Sequence, residues 1–384
     1  MNLADFKADF GFPDDVIFLN QASFSPALKS VELAGIKAVT KKRRPDLYQN
    51  SDLFEPLIAL KKKFSEIIDL EDYQRVANIP SVSYGLANVA NNIVLKPEDE
   101  IVVIEEQFPS NIYTWIELTK KYGAKLVTIK QPNNPSDWND LILNAINGNT
   151  RIVAMAHVHW ANGFIFDLKS IRKKTKDYES LLIVDASQSL GALPFSIKEI
   201  EPDALVCAGY KWLFGPYGCA YAYYGEYFDH GKPIEENWSI RSGSENLASL
   251  TQYSDSYKPL AQRYNAGESA SFIYVQMQLA ALEEVLKFRP EDLQAFCSGI
   301  SLESLKDLDT LGFKSFPLHL RANHLFGLSI PESINHDLLK NTLKANNIIV
   351  SYRGSYLRVS AHLYNTKAHF QKLVNVLKQV ENHG

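Results

Sequence analysis

The residue types with most chemical promise stand between Leu181 and Gly218. Lys211 follows the apolar run Ala204–Ala208, sits between Tyr210 and Trp212, and precedes Gly215-Pro216-Tyr217-Gly218. Lysine is seldom enclosed by apolar surroundings. Where it is, desolvation disfavours the ammonium form and lowers the pKa. A neutral amine is what Schiff-base chemistry needs. A lysine that snorkels its head to water would have the same neighbours. Asp185 closes a second apolar run, Leu181–Asp185. A carboxylate at the mouth of such a strand is partly desolvated and needs a cation or a donor. Capping the following turn is the plainer alternative.

The two residues together narrow the chemistry. A lysine imine, with a carboxylate facing a pyridinium nitrogen, describes pyridoxal phosphate binding. The carboxylate keeps the ring nitrogen protonated, so the ring can accept electrons. Ser81, Val82 and Ser83 lie between an expected strand and an expected helix over 86–92. Hydroxyls and free amides at a helix start favour an anion such as a phosphate. Plain N-capping by either serine is the alternative. His157 and His159 share one face of a strand. No Cys, Asp or Glu lies within a few residues of them, so no metal site is expected.

These groups need a scaffold. Residues 100–104, 125–129, 151–157 and 181–185 read as strands. They alternate with helices over 110–122, where Gly123 marks the stop, and 168–178. That alternation predicts an α/β fold with a largely parallel sheet. Ligands of such sheets bind where strands end. After Pro290 the pattern turns to α+β, with helices over 291–305, 337–345 and 367–379. A hairpin of 348–352 and 356–360 turns at Gly354. The expected organisation is an N-terminal segment 1–15, a large domain 16–272 and a smaller domain 273–384 entered through a linking helix. The basic clusters at 41–44 and 61–63 read as solvated helix faces.

Composition excludes other classes. Forty Lys+Arg against 44 Asp+Glu give a net charge of −4. That lacks the basic footprint of a nucleic-acid binder. Three scattered Cys form no disulfide framework, which points to a reducing, cytoplasmic setting. Residues 1–15 hold no sustained apolar run and do not read as a signal peptide. The uncharged stretch 76–95 holds Pro80, Gly85 and four Asn, too polar to span a membrane.

Two motifs carry a resemblance to a known family. Val184-Asp185-Ala186-Ser187-Gln188-Ser189-Leu190-Gly191, followed by Ala208-Gly209-Tyr210-Lys211-Trp212 and its Gly-Pro loop, resembles the class V aminotransferases of fold-type I pyridoxal phosphate enzymes. Cysteine desulfurases, kynureninases and isopenicillin-N-epimerase-like proteins belong to that group. The resemblance implies that Ser81, Val82 and Ser83 cup the phosphate, with help from Tyr210. It implies that Phe108 lies on the pyridine ring and that Gln188 meets the ring's phenolic oxygen. Ala22 and Ser23 resemble the family's small residues at the substrate site. Trp160 stands where many relatives carry Asn, and kynureninases an aromatic. Arg358 matches the arginine that grips the substrate α-carboxylate; Arg353 is either a second anion contact or a surface strand residue. The loop Gly267-Glu268-Ser269 resembles one that reaches the neighbouring active site of a homodimer.

The implied function is an enzyme acting on a small-molecule amino acid, an aminotransferase first. A lyase or epimerase on the same machinery, or a silent binding protein of the same fold, are the alternatives. Residues 348–358 contain no Cys, where desulfurases of the family place a nucleophilic thiol. The sequence therefore predicts that the protein is not a cysteine desulfurase.

Overall fold

The structure is a computed structural model describing Phe6 and residues 9–381. Parts of the 1–15 segment (1–5, 7 and 8) and of the C-terminus (382–384) lie outside the described residues. The strands are β1 Ile17–Phe18, β2 Val76–Ile79, β3 Glu100–Ile104, β4 Lys125–Ile129, β5 Thr150–Ala156, β6 Leu181–Asp185, β7 Ala204–Ala208, β8 Ala220–Tyr224, β9 Leu325–Ser329, β10 Ile348–Ile349, β11 Ser351–Arg353 and β12 Tyr356–Ser360.

The main sheet runs β2-β8-β7-β6-β5-β3-β4. Strands β3 to β7 pair in parallel, and β8 is antiparallel to both its neighbours. Every residue of β6 and β7 is buried. Successive side chains point to opposite faces. Leu182, Val184 and Leu205 accordingly join one core cluster, while Leu181, Ile183 and Val206 join the other. Burial on both faces is why these strands read as continuous apolar runs. The chain leaves β3 for β4 on one side and returns to β5 on the other. That reversal opens a crevice at the strands' carboxyl ends.

Two close approaches depend on glycines. The expected helix over 86–92 begins earlier, as Val82–Asn91, because the Ser81 side chain accepts the Tyr84 amide and caps it. Gly85, which reads as a breaker in sequence, lies inside that helix. A Cβ there would stand 2.7 Å from Val206 and 2.8 Å from Ile79, so its absence lets the helix seat on the sheet. Gly163 adopts φ +81°, and a Cβ there would come within 2.2 Å of the Leu325 carbonyl oxygen. Its carbonyl accepts from the Ala322 amide, and Asn162's accepts from Gly327. The loop after β5 is thus pressed against β9.

The three-stranded antiparallel sheet β11-β12-β9 carries Arg353 and Arg358. The single strand expected over 348–352 is broken at Val350. Its first part, β10, pairs in parallel with β1, and only β11 joins the hairpin. This draws residues 17–23 alongside β12.

The expectation of a fully solvated 61–63 cluster fails at Lys61. Neighbouring helix positions are about 100° apart, so three lysines cannot share one face. Lys62 is exposed and Lys63 pairs with Glu283 at 3.4 Å. Lys61 is only 1% exposed and donates to Gln262 Oε1 at 2.8 Å. Among the described residues no helix is long and apolar enough to cross a membrane.

Replacing Gly163 with Ala should destabilise the protein by about 2–5 kcal/mol, from left-handed backbone strain plus a clash with backbone. Gly243 has the same φ of +81° but open space around it. Gly243→Ala should therefore cost only about 1–2 kcal/mol. Thermal unfolding of both variants checks this; equal losses would contradict the close approach.

Candidate active site

A cavity of about 250 Å³ opens at the carboxyl ends of the parallel strands, lined by the Ser81–Ser83 turn, Phe108, Trp160, Asp185, Gln188, Tyr210 and Lys211. Lys211 leaves the end of β7 and is 7% exposed. Its backbone carbonyl accepts from Gln21 Nε2 at 2.9 Å, which fixes the loop. Burial lowers its amine from 10.5 to about 8, against the opposing pull of Asp185. Nζ lies 5.3 Å from the Phe108 ring centroid and 5.9 Å from that of Tyr210.

Asp185 ends β6 and is also 7% exposed. Desolvation raises its pKa, opposed by the hydrogen bonding of Ser187 and by the Lys211 charge. The Ser187 amide donates to Asp185 Oδ1 at 2.9 Å. Ser187 Oγ in turn accepts the Ala208 amide at 3.0 Å, tying the ends of β6 and β7 together. Among the described residues, Asp185 and Lys211 attract each other without forming a direct ion pair.

At the opposite wall, Ser81 and Ser83 hydroxyls stand 3.0 Å apart. The first amides of the helix they open have no intrahelical acceptor. Tyr210 is half-buried, packed on Tyr217 at 4.6 Å between centroids. Gln188 Nε2 donates to the Ala22 carbonyl at 3.1 Å, and its Oε1 accepts from Trp212 at 2.8 Å. The protein thus holds this amide on both sides.

Arg358, 1% exposed, donates to the Trp160 carbonyl at 3.0 Å and to Ser23 Oγ at 2.7 Å. Desolvation, with the nearby Arg353 charge, lowers its pKa to about 9. The Trp160 indole N–H donates to the Glu106 carbonyl at 2.7 Å, and its ring meets Phe108 edge-on at 5.3 Å. Sequence reasoning overlooked Ser187 as a brace and Gln107, whose amide holds the β5 backbone beside Phe108. Both sit inside or next to motifs already singled out. In the Gly267-Glu268-Ser269 loop, the Gly267 amide is bound within the chain by Glu235 Oε2 at 3.1 Å. That same oxygen accepts from Tyr84 OH at 2.8 Å.

The donor set fits pyridoxal phosphate. Hydroxyls and helix amides suit its phosphate, Phe108 offers an aromatic surface for its ring, and the acid and amine suit the ring nitrogen and the aldehyde. Cys207, Cys219 and Cys297 are all buried, and burial pushes their thiols up, that of Cys219 to about 12. Among the described residues no group of three His, Cys, Asp or Glu is placed to hold a metal ion.

Comparison with known proteins agrees with this geometry. The family described as aminotransferase class-V matches residues 50–373. An uncharacterized aminotransferase of Bacillus subtilis, YcbU, is 25% identical over 82% of this chain and 81% of its own length. A probable cysteine desulfurase of Staphylococcus aureus is 25% identical over 83% of this chain and 78% of its own length. The apo structure of a cysteine desulfurase from Thermococcus onnurineus superposes with a TM-score of 0.85 at 21% identity, covering 99% of this chain and 98% of that one.

These similarities overturn the exclusion of cysteine desulfurases drawn from the sequence. That exclusion rested on one loop without a thiol. The scaffold that seats the cofactor is shared across reactions, so a single loop does not decide among them. What the sheet, the buried acid and amine and the matched span 50–373 establish together is the family: this chain belongs to the class-V aminotransferases, pyridoxal-phosphate-dependent enzymes of fold type I.

Proposed function

We propose that the protein transfers the amino group of an α-amino acid, using Lys211 as the covalent anchor and proton carrier. The observation that carries this reading is one cavity holding a desolvated amine, a buried carboxylate and a hydroxylated helix start. Pyridoxal phosphate, when bound, draws electrons from the bonds at the substrate's Cα. The chain's own groups do the rest. Ser81, Ser83 and the Val82 and Ser83 amides would hold the phosphate, with the Tyr210 hydroxyl. Phe108 covers the ring. Asp185 holds a proton on the ring nitrogen, and the Ser187 brace keeps its carboxylate aimed. The Lys211 amine would hold the cofactor's aldehyde and would move a proton at the substrate's Cα. Arg358, with Ser23 and Ala22 beside it, holds the α-carboxylate, and Trp160 closes that side against water. The reading includes a homodimer and a division at 272/273.

A second reading is favoured by the relatives named cysteine desulfurases: release of sulfur from cysteine. The chain's buried thiols would then leave the sulfur to an external thiol acceptor. Incubation of the loaded enzyme with single amino acids separates the two. Keto acid formation with aminated cofactor supports transfer; alanine and sulfide from cysteine, without amino transfer, replace it with the second reading.

Borohydride reduction followed by peptide mapping should place the cofactor on Lys211 alone, and Lys211→Ala should fold without covalent cofactor. In the apoprotein, the rate of covalent capture should rise with pH as the Lys211 amine deprotonates, then level above about 8. A rate that climbs on toward the ordinary lysine value would contradict a desolvated amine.

Asp185→Asn should retain the cofactor yet lose roughly 100-fold or more in turnover. A broken buried pair costs on the order of 3–5 kcal/mol, at about 1.4 kcal/mol per decade of rate. Near wild-type turnover would remove Asp185 from this role.

A further inference from the structure

Behind Trp160, one wall of the cavity, stand two guanidiniums, more positive charge than one carboxylate answers. Arg353 and Arg358 lie on adjacent strands of the small sheet, β11 and β12. Their guanidinium carbons stand 5.4 and 6.0 Å from the ring centroid of one side chain, Trp160. Trp160 itself lines the cavity. Arg358 is held by the Trp160 carbonyl and two hydroxyls, Ser23 and Ser351. Among the described residues Arg353 hydrogen-bonds only its neighbour's carbonyl, Tyr352 O, at 2.7 Å, and its buried Nε has no partner. Among the described residues neither arginine forms an ion pair.

The anions nearby are already assigned or turned elsewhere. Asp185 faces the amine and the cofactor's ring nitrogen. Glu106 lies by the Gly354 turn, with its carboxylate oxygens 3.8 and 4.0 Å from where a Cβ on Gly354 would be. Its backbone carbonyl, not its carboxylate, holds Trp160. The Arg353 and Arg358 charges disfavour each other, and both disfavour the Lys211 ammonium. A half-exposed Arg353 beside the buried Arg358 sets two like charges close together, which is costly unless anions arrive to pair with them. The α-carboxylate of an amino acid supplies one. The planar fork of the second guanidinium is shaped for another carboxylate-like group.

We propose that Arg353 is a specificity-determining residue that binds an anionic group on the substrate's side chain, so that the preferred substrates are acidic amino acids. This rests on the amino-acid reading above and narrows it. Trp160 then serves as the shared floor on which both guanidiniums are positioned, one for each end of the substrate.

The test compares each acidic amino acid with its amide: glutamate against glutamine, and aspartate against asparagine. For at least one pair the wild-type kcat/KM should favour the acid by roughly 10- to 150-fold, the range of a charge-assisted hydrogen bond. Arg353→Gln should abolish that ratio, and Arg353→Lys should retain part of it. Equal losses for acid and amide in Arg353→Gln would overturn the proposal, because Arg353 would then be a second α-carboxylate contact. A wild-type ratio near one for both pairs would also overturn it. Binding supplies a readout independent of turnover. Calorimetry on the loaded protein should show glutarate binding at least tenfold more tightly than butyrate, and Arg353→Gln should erase the difference. If no amino acid is turned over but glutarate keeps its Arg353-dependent advantage, the amino-transfer reading fails while the anion site stands. Equal binding of the two acids would sink the anion site itself.

Discussion

A buried carboxylate facing a buried amine, held apart, is the constraint around which this molecule is arranged. Each group alone is costly inside a protein. Asp185 closes a strand buried on both faces, and Lys211 follows the neighbouring strand, itself fully buried. Their mutual attraction offsets part of the desolvation each suffers, yet no direct ion pair collapses the gap. The gap persists because both backbones are fixed. Ser187 ties β6 to β7, and Gln21 holds the Lys211 carbonyl. A flat aromatic ring with an acceptor nitrogen at one end and a carbonyl at the other answers both groups at once.

The substrate side is built by a different route. Here the sheet contributes little, and loops from distant parts of the chain converge. The β5 loop turns at Gly163 against β9, and the early strand β1 pairs with β10. These two contacts bring Trp160, Ser23 and Arg358 together. On the proposed function, substrate selection is therefore coupled to the seating of the small sheet on the large one, whereas the cofactor seat is carried by the large sheet. Two sources of position allow relatives to keep the cofactor seat while the loops change the reaction.

Much of the cavity lining at the strand ends was legible because its residues lie in short, contiguous motifs. Asp185, Gln188, Tyr210 and Lys211 fall within 27 consecutive positions of the chain, and apolar runs flank them. The parallel sheet was legible for a related reason, since burial on both faces leaves unbroken apolar runs. What the sequence hid depends on three-dimensional proximity. Lys61 looks like its two neighbours, and only helix rotation sends it inward. Gly85 resembles a helix breaker until the sheet behind it is seen. The unanswered charge on Arg353 needs the positions of Trp160, Ser23 and Arg358 before it has meaning. The missing thiol of residues 348–358 misled for the opposite reason: it is plain in sequence but too local to choose a reaction.

The central claim is that Asp185 keeps the bound ring nitrogen protonated in a seat the protein prepares in advance. Nitrogen-15 NMR of the protein loaded with ring-labelled pyridoxal phosphate reads that proton directly. The account predicts a pyridinium chemical shift that stays constant through neutral and mildly alkaline pH in the wild-type protein and is lost in Asp185→Asn. A neutral-pyridine shift in the wild type, or one that titrates as in the free cofactor, would contradict it.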